Sequence, residues 1–352
     1  MMSGGQAEGE KLRIGLIGTG SIGHWRAMAL RRLSERASLV AIADPDSAAT
    51  DLVIDSLGAS AHIRTFDDGE RLASDPEIDA VILSTPPHLH GSLGLACLES
   101  GKHLLCEKPL ATTLEDAEAL VDASESRGLT LSTGFTLRHT RAARRARHLV
   151  DSGRLGEVDH IRSFHGHDGA ELHATWQRDP KTSGGGTLMD NGIHAIDLAR
   201  WFLGDTRETQ GYGTGRISGE RGIEDNGFIL LKSTEGRVAT VQSSWTEWRG
   251  YGYRLEIYCS QGYVRFGYPP MWLTWATREP GRRSKTRFEL FPGYQVAERL
   301  RGWQWGLMET LEADLRGWID SIAGQPSATA SGRDGLEAVR IALAIERLED
   351  PP

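Results

Sequence analysis

Residues Leu12 to Asp44 constrain this chain more than any other stretch. The apolar strand Leu12-Arg13-Ile14-Gly15-Leu16-Ile17 runs into the turn Gly18-Thr19-Gly20-Ser21-Ile22-Gly23. A helix follows, then a second apolar strand, Leu39-Val40-Ala41-Ile42-Ala43, which ends on Asp44. Glycines alone mark ordinary turns. Here the strand before them, the helix after them and an acid about 20 residues on occur together, and that order predicts a dinucleotide. Gly18 permits a tight turn, Gly20 lets a pyrophosphate approach the backbone, and Gly23 lets the helix pack close to the strand. The helix N-terminus then offers N–H groups to the phosphates. Asp44 would accept hydrogen bonds from the adenosine ribose and repel a 2′-phosphate, and no Arg follows it immediately. NAD is therefore expected rather than NADP.

The same alternation continues to about Ser132. Helical patterns cover Ser47 to Leu57, His88 to Glu99, and Leu114 to Ser126 behind the N-cap Thr113. Strand patterns cover His62 to Phe66, Ile78 to Leu83, His103 to Cys106 and Leu129 to Thr133. This predicts an α/β fold that begins with a doubly wound, Rossmann-type parallel sheet. After Gly134 the pattern changes. A helix from Arg138 to Ser152, a strand from Glu157 to His165 and a helix from Leu188 to Phe202 precede a run of strands from Gln210 to Phe266. Glu235-Gly236 and Gln261-Gly262 read as turns within that run. The expectation is a C-terminal α+β domain with a large, mainly antiparallel open sheet. Near the end, Met308, Leu311, Leu315, Trp318 and Ile322 form a helical stripe suited to core packing, and a last helix covers Asp334 to Leu348. The expected organisation is a disordered segment 1–10, an NAD-binding domain 11–134, and a substrate-binding and oligomerisation domain 135–352.

Composition excludes several classes. At 352 residues the chain can build two cores. A net charge of −8 gives no electrostatic footprint for nucleic acid. The one basic run, Arg138 to Arg147, has apolar residues at helical spacing and reads as a solvated helix face. Cys97, Cys106 and Cys259 are odd in number and lack metal-type spacing, which suits free thiols in a reducing compartment. No signal peptide and no bilayer-length apolar run is read, so a cytoplasmic protein is expected.

Two segments carry chemistry. Glu107-Lys108-Pro109 closes the fifth predicted strand, and ligands of open parallel sheets bind outside the carboxyl ends of the strands. Asp190 and His194, four apart, share one face of a regular helix, where a carboxylate can fix an imidazole's tautomer. Asp197 lies where it could support them. These three could nominally ligate a metal, but no metal is expected. Trp245, Trp248, Tyr251 and Tyr253 cluster on a predicted hairpin, as a subunit contact by default or as a sugar-stacking surface.

Together these residues resemble the Gfo/Idh/MocA family of NAD(P)-dependent oxidoreductases, over about Lys11 to Glu349. The resemblance is carried by Gly18 through Gly23, Ser84-Thr85-Pro86-Pro87-His88-Leu89-His90, Glu107-Lys108-Pro109-Leu110, and Gly184-Gly185-Gly186 with Asp190, His194 and Asp197. It implies that Lys108, Asp190 and His194 are the catalytic trio and that Lys108-Pro109 is a cis peptide. It implies further that Ser84, Thr85, Pro86, His90, Glu107 and Lys108 line the cofactor, with Trp176 and Arg178 at its nicotinamide end. A homodimer or homotetramer built on the open sheet is implied as well. Pro87 and Thr136 stand where the family often has other residues. The expected activity is hydride transfer between nicotinamide and a secondary alcohol or ketone of a sugar, aminosugar, polyol or cyclitol. In this scheme His194 takes the proton, Asp190 holds its ring, and Lys108 binds the same oxygen, with an unprotonated Lys108 as the alternative base. Arg138, His165 and Trp176 are candidate substrate contacts, and His167 and His173 lie in the same segments. A redox-neutral NAD-dependent glycosidase or lyase would use the same residues, and a non-catalytic NAD-binding sensor would not need them.

Overall fold

The structure is a computed structural model that describes residues 11–58, 62–169, 175–215, 223–278 and 285–348. The N-terminal segment expected to be disordered lies outside the described residues. The first layer alternates strands and helices: β1 (Leu12–Ile17), α1 (Ser21–Arg31), β2 (Ala37–Ala43), α2 (Ser47–Leu57), β3 (Arg64–Phe66), α3 (Gly69–Ala73), β4 (Ala80–Leu83), α4 (His90–Glu99), β5 (His103–Cys106), α5 (Leu114–Arg127) and β6 (Leu131–Thr133). Local chemistry sets the helix ends. The Thr113 hydroxyl accepts from Asp116 N–H at the start of α5, and Gly128, at φ 66°, ends it in the left-handed region. β4 is buried at every position, as a central strand covered on both faces must be.

The second layer holds α6 (Arg141–Asp151), β7 (Val158–Gly166), α7 (Pro180–Ser183), α8 (Ile193–Leu203), β8 (Thr206–Thr214), β9 (Asn226–Ser233), β10 (Val238–Ser244), β11 (Gly252–Cys259), β12 (Gly262–Tyr268), β13 (Trp272–Thr277) and β14 (Arg287–Leu290). The chain ends with α9 (Pro292–Arg301), α10 (Gln304–Ile322), β15 (Ala330–Ser331), α11 (Gly332–Leu343) and β16 (Glu346–Leu348).

Two sheets organise these elements. The first has seven strands in the order β15-β6-β5-β4-β1-β2-β3, and all pairs but β15–β6 are parallel. Strand order reverses between β1 and β4, which opens a crevice at their carboxyl ends. The second sheet has nine strands in the order β14-β13-β12-β11-β7-β10-β9-β8-β16. It is mainly antiparallel, as expected, but β7–β10 and β8–β16 pair in parallel. Residues alternate in β9, where Ile229 and Leu231 are buried and Phe228 and Leu230 face outward. The inner face packs on α8.

Three differences from the sequence reading matter for the site. Residues Thr136–His139 form a 3₁₀ turn, and the Thr140 side chain, accepting from Ala143 N–H, starts α6 only at Arg141. Residues Leu188–Gly192 form a π-helical turn ahead of α8. Apolar periodicity marks a helical face but does not distinguish i→i+4 from i→i+5 closure. Third, the end of the chain returns to the first sheet. β15 pairs with β6, and Met308, Leu311, Leu315 and Trp318 of α10 share a core with Leu30 of α1 and with Ile14 and Leu16 of β1. A division at residue 134 separates these elements from the sheet they complete. A stripe tells that α10 buries a face, not which partner receives it.

Candidate active site

The glycine turn leaves β1 at the crevice. Gly18 has φ 91°, and a Cβ there would meet Ser84 and Thr85 backbone at 2.7–2.9 Å. A Cβ on Gly23 would lie 2.0 Å from the Gly18 carbonyl oxygen, so only glycine lets α1 pack this closely. A Cβ on Gly20, by contrast, would meet nothing within 4 Å. That is open space at the helix N-terminus. Gly20 is also the N-cap of α1, with no side-chain cap and no acid in the first turn. The leading N–H groups of the helix, at Ser21 and Ile22, have no intrahelical acceptor and face that space. Asp44 is held ready by Thr19, whose N–H and hydroxyl donate to Oδ2 at 2.7 and 2.8 Å, and by Asp46 N–H on Oδ1 at 2.9 Å. Across the crevice Ser84 and Thr85, ahead of Pro86, bury hydroxyl oxygens with no hydrogen-bond partner among the described residues. An open cradle, a fixed acid and orphaned hydroxyls fit a dinucleotide.

Two residues expected to line the cofactor are buried and tied into the protein's own hydrogen bonds. His90 is fully buried, and its ring nitrogens lie 2.8 Å from Pro109 O and 2.9 Å from Thr85 O. It ties the loop after β4 to the loop after β5. Glu107 accepts from Arg26 Nε at 2.7 Å, and Arg26 also donates to Asp314 at 2.6 Å.

Lys108 follows Glu107, and the Lys108–Pro109 peptide is cis. Its ammonium donates to Asp190 twice, to the backbone carbonyl at 2.9 Å and to Oδ1 at 3.1 Å. Asp190 Oδ2 accepts from Trp245 Nε1–H at 3.1 Å and lies 3.4 Å from His167 Nε2. Burial would raise this carboxyl, but the Lys108 charge and the His167 contact hold it well below the usual carboxylate range. Asp190 is therefore a fixed anion.

His194 is also in this cluster, but the expected Asp190–His194 hydrogen bond is not formed. The π-helical turn spreads residues 188–192, and the carboxylate turns to Lys108, Trp245 and His167. His194 Nδ1 is buried without a hydrogen-bond partner among the described residues. Burial first, then the Lys108 charge and His165, keep this imidazole neutral, with its pKa well below the ordinary value. His165 lies beside it with ring centroids 5.8 Å apart, donates from Nδ1 to Asn191 O at 2.8 Å, and leaves Nε2 buried and unbonded. The Lys108 ammonium, His194 and His165 are thus close enough for their charges to interact, and His194 Nδ1 and His165 Nε2 have no hydrogen-bond partner among the described residues. Trp176 joins Pro87, Lys108, Met189, Asp190 and Trp245 around a small cleft at this point.

Other candidates fall elsewhere. Arg138 is spent on a bidentate pair with Asp197, at 2.9 and 2.6 Å, and also faces Asp334. It is buried and is not among the residues around the small cleft. Asp197 accordingly supports Arg138, not His194. The remaining arginines of the basic run do lie on the outer side of α6. The aromatic cluster divides. Trp248 is exposed, whereas Trp245 and Tyr253 are buried, which rules these two out of a subunit contact made by the chain as it stands. The Arg178 side chain and His173 lie outside the described residues. His167 and Trp245 were not linked to Asp190 by any sequence signal, because only the parallel β7–β10 pairing brings positions 167 and 245 together.

Comparison with known proteins gives matches over both halves of the chain. Residues 12–135 match the family described as "Oxidoreductase family, NAD-binding Rossmann fold", and residues 143–265 match the "GFO/IDH/MocA C-terminal domain". The myo-inositol 2-dehydrogenase of Thermotoga maritima is 27% identical over 96% of this chain and 96% of its own length. The 1,5-anhydro-D-fructose reductase of Ensifer adhaerens is 31% identical over 78% of this chain and 79% of its own. A solved levoglucosan dehydrogenase in complex with NADH superposes with a TM-score of 0.82 at 25% identity, covering 95% of this chain and 96% of that one.

Proposed function

Because the chain belongs to the GFO/IDH/MocA family of NAD-binding oxidoreductases, we propose that it oxidises a secondary alcohol of a cyclitol, sugar, aminosugar or polyol to the ketone, reversibly. The observation that carries this reading is the Lys108 ammonium, held on Asp190 at a small cleft and grouped with His194 and His165, two buried imidazoles each with one nitrogen unbonded among the described residues. Such a set matches a polyhydroxylated substrate, with one hydroxyl to react and a neighbour to be recognised. When bound, the nicotinamide accepts the hydride from the carbinol carbon. Gly18 through Gly23, Asp44, Ser84, Thr85 and Pro86 hold it.

Electrostatics assign the proton. Passing it to His194 would place an imidazolium, buried, beside the Lys108 ammonium. Passing it to the Lys108 amine forms an ammonium already flanked by two Asp190 acceptors. The ammonium held on Asp190 must first release its proton; the resulting Lys108 amine is then the general base, Asp190 stabilises the charge it regains, and neutral His194 orients the reacting hydroxyl. His165, whose Nδ1–H is taken by Asn191, presents Nε2 as an acceptor for a neighbouring hydroxyl. The protein is also proposed to form a homo-oligomer through the outer face of the nine-stranded sheet, which exposes Tyr212, Phe228 and Leu230.

The test is a panel of cyclitols, anhydrosugars and aldoses with NAD, followed by NADH absorbance. Turnover of at least one polyol is expected, faster toward alkaline pH. Lys108→Ala should lower kcat by about 100-fold or more with NADH binding retained. A panel that leaves NAD unreduced while the polyol is rearranged would point to redox-neutral chemistry instead. Full turnover by the Lys108→Ala protein would refute the assignment.

A further inference from the structure

The Asp190 carboxylate has more partners than a lysine alone requires. Oδ1 faces Lys108, while Oδ2 receives Trp245 Nε1–H at 3.1 Å and faces His167 Nε2 at 3.4 Å. The His167 tautomer follows from its other nitrogen. Nδ1 accepts the Gly169 N–H at 3.0 Å, so Nε2 carries the proton and points it at Asp190. One carboxylate oxygen is thus held by two neutral donors and the other is left to the ammonium.

Topology explains how two residues distant in sequence reach one atom. β7 and β10 are a parallel pair within a mainly antiparallel sheet, so both strands end on the same edge. His167 lies just past Gly166 at the end of β7, and Trp245 just past Ser244 at the end of β10. The His167 N–H donates to Ser244 O at 3.0 Å, and the two rings lie 6.4 Å apart. Trp245 is 5% exposed and His167 6%. A Trp inside a sheet-edge core needs a partner for its N–H. Here that partner is the acid that holds the reactive lysine.

We propose that Trp245 and His167 are positioning residues for the reaction: through two N–H groups on Asp190 Oδ2 they lock the carboxylate plane that aims Lys108 at the substrate oxygen. This rests on the reading of Lys108 as the reacting amine. Trp245 therefore acts on Lys108 through Asp190. A carboxylate free to rotate would let the lysine swing away from its near-attack position, which lowers kcat more than it weakens cofactor binding. The charged and titratable groups facing Asp190 are Lys108 from the loop after β5, His165 and His167 from the end of β7, and His194 from α8.

The test uses the full chain and a readout that needs no substrate. Wild type, Trp245→Phe, His167→Leu and His167→Gln proteins are treated with acetic anhydride, and the acetylation rate of Lys108 is read by peptide mass spectrometry against exposed Lys11. Trp245→Phe removes the donor together with the pyrrole part of the indole while keeping one six-membered aromatic ring. It and His167→Leu should each raise the relative labelling of Lys108 by about fivefold, the factor one net hydrogen bond is worth. His167→Gln, which retains an N–H donor, should restore the wild-type rate. On a polyol turned over by the wild type, the same two variants should lose about 10-fold in kcat with NADH affinity unchanged. Unaltered Lys108 labelling in both donor-deleting variants would overturn the proposal, as would His167→Gln behaving like His167→Leu. NADH fluorescence titration of the wild type tests the oxidoreductase reading separately, because labelling does not depend on it.

Discussion

The His165 imidazole sits in the core with one nitrogen bonded to Asn191 O and the other without a partner among the described residues, and its burial lowers its pKa to about 4. In the unfolded chain it titrates near 6.5. Between these values the unfolded state binds more protons than the native state. Stability therefore rises with pH across that window and is lost as pH falls from about 6.5 to about 4. The contribution is at most about 3 kcal/mol. His194, lowered in the same direction by burial, adds to it. A His165→Gln protein should show a flatter loss of stability between pH 7 and pH 4.5, measured by urea unfolding at each pH. An undiminished slope would show that His165 is not the titrating group. At this scale the legible residues were those whose task is local. Gly18, Gly20 and Gly23 act within one turn, Asp44 ends one strand, and Lys108 ends another. The partners of Asp190 were not legible, since hydrogen bonds across about 80 positions, as from Lys108, leave no periodicity.

Among the elements, α10 does what its stripe alone does not reveal. It lays Met308, Leu311, Leu315 and Trp318 on the first sheet's core and sends Asp314 to Arg26 of α1. Arg26 is fully buried between Asp314 and Glu107, at 2.6 Å from each, and Glu107 immediately precedes Lys108. The Arg26 charge holds the Asp314 carboxyl below its ordinary value, against the upward push of burial. Removing the guanidinium leaves two carboxylates facing each other in the core. Arg26→Met should cost about 3–5 kcal/mol in urea unfolding. Adding Asp314→Asn to it should recover part of that loss, because one of the stranded charges is then gone. A loss below about 1 kcal/mol would show that water reaches the pair and screens it. The π-helical turn at Leu188–Gly192 is the other element-level lesson. A four-residue spacing between Asp190 and His194 suggested a shared face, but a wider turn sends the two side chains to different partners.

For the molecule as a whole, one face of the nine-stranded sheet is covered by α8 and the other is open. The open face carries Tyr212 at 53%, Phe228 at 47% and Leu230 at 47% exposure, interleaved with Gln210, Thr240 and Gln242. Apolar residues grouped this way on a broad sheet mark an association surface. Phe228→Glu places a charge at its centre and should reduce the assembly to a smaller species in sedimentation velocity, with the far-UV spectrum unchanged. If the wild type already sediments as a monomer, the face has another use. Both sheets were legible as classes. Continuous apolar strands separated by helices require a parallel sheet, and alternating strands separated by turns require an antiparallel one with a covered face. The exceptions, β7–β10, β8–β16 and β15–β6, were not legible, because strand pairing depends on where a chain crosses over and not on its composition.

Sequence alone determined what local sterics and short-range periodicity control: the glycine turn ahead of a helix, the acid that ends the second strand, the lysine at a strand end and the two sheet types. Tertiary structure decided what depends on long-range closure. Asp190 serves Lys108 and not His194, Arg138 is removed from the cleft by Asp197, and a late helix completes an early core. The physical reason is the same in each case: a side chain takes the partner that satisfies its charge once buried, and only the folded chain determines which partners are within reach.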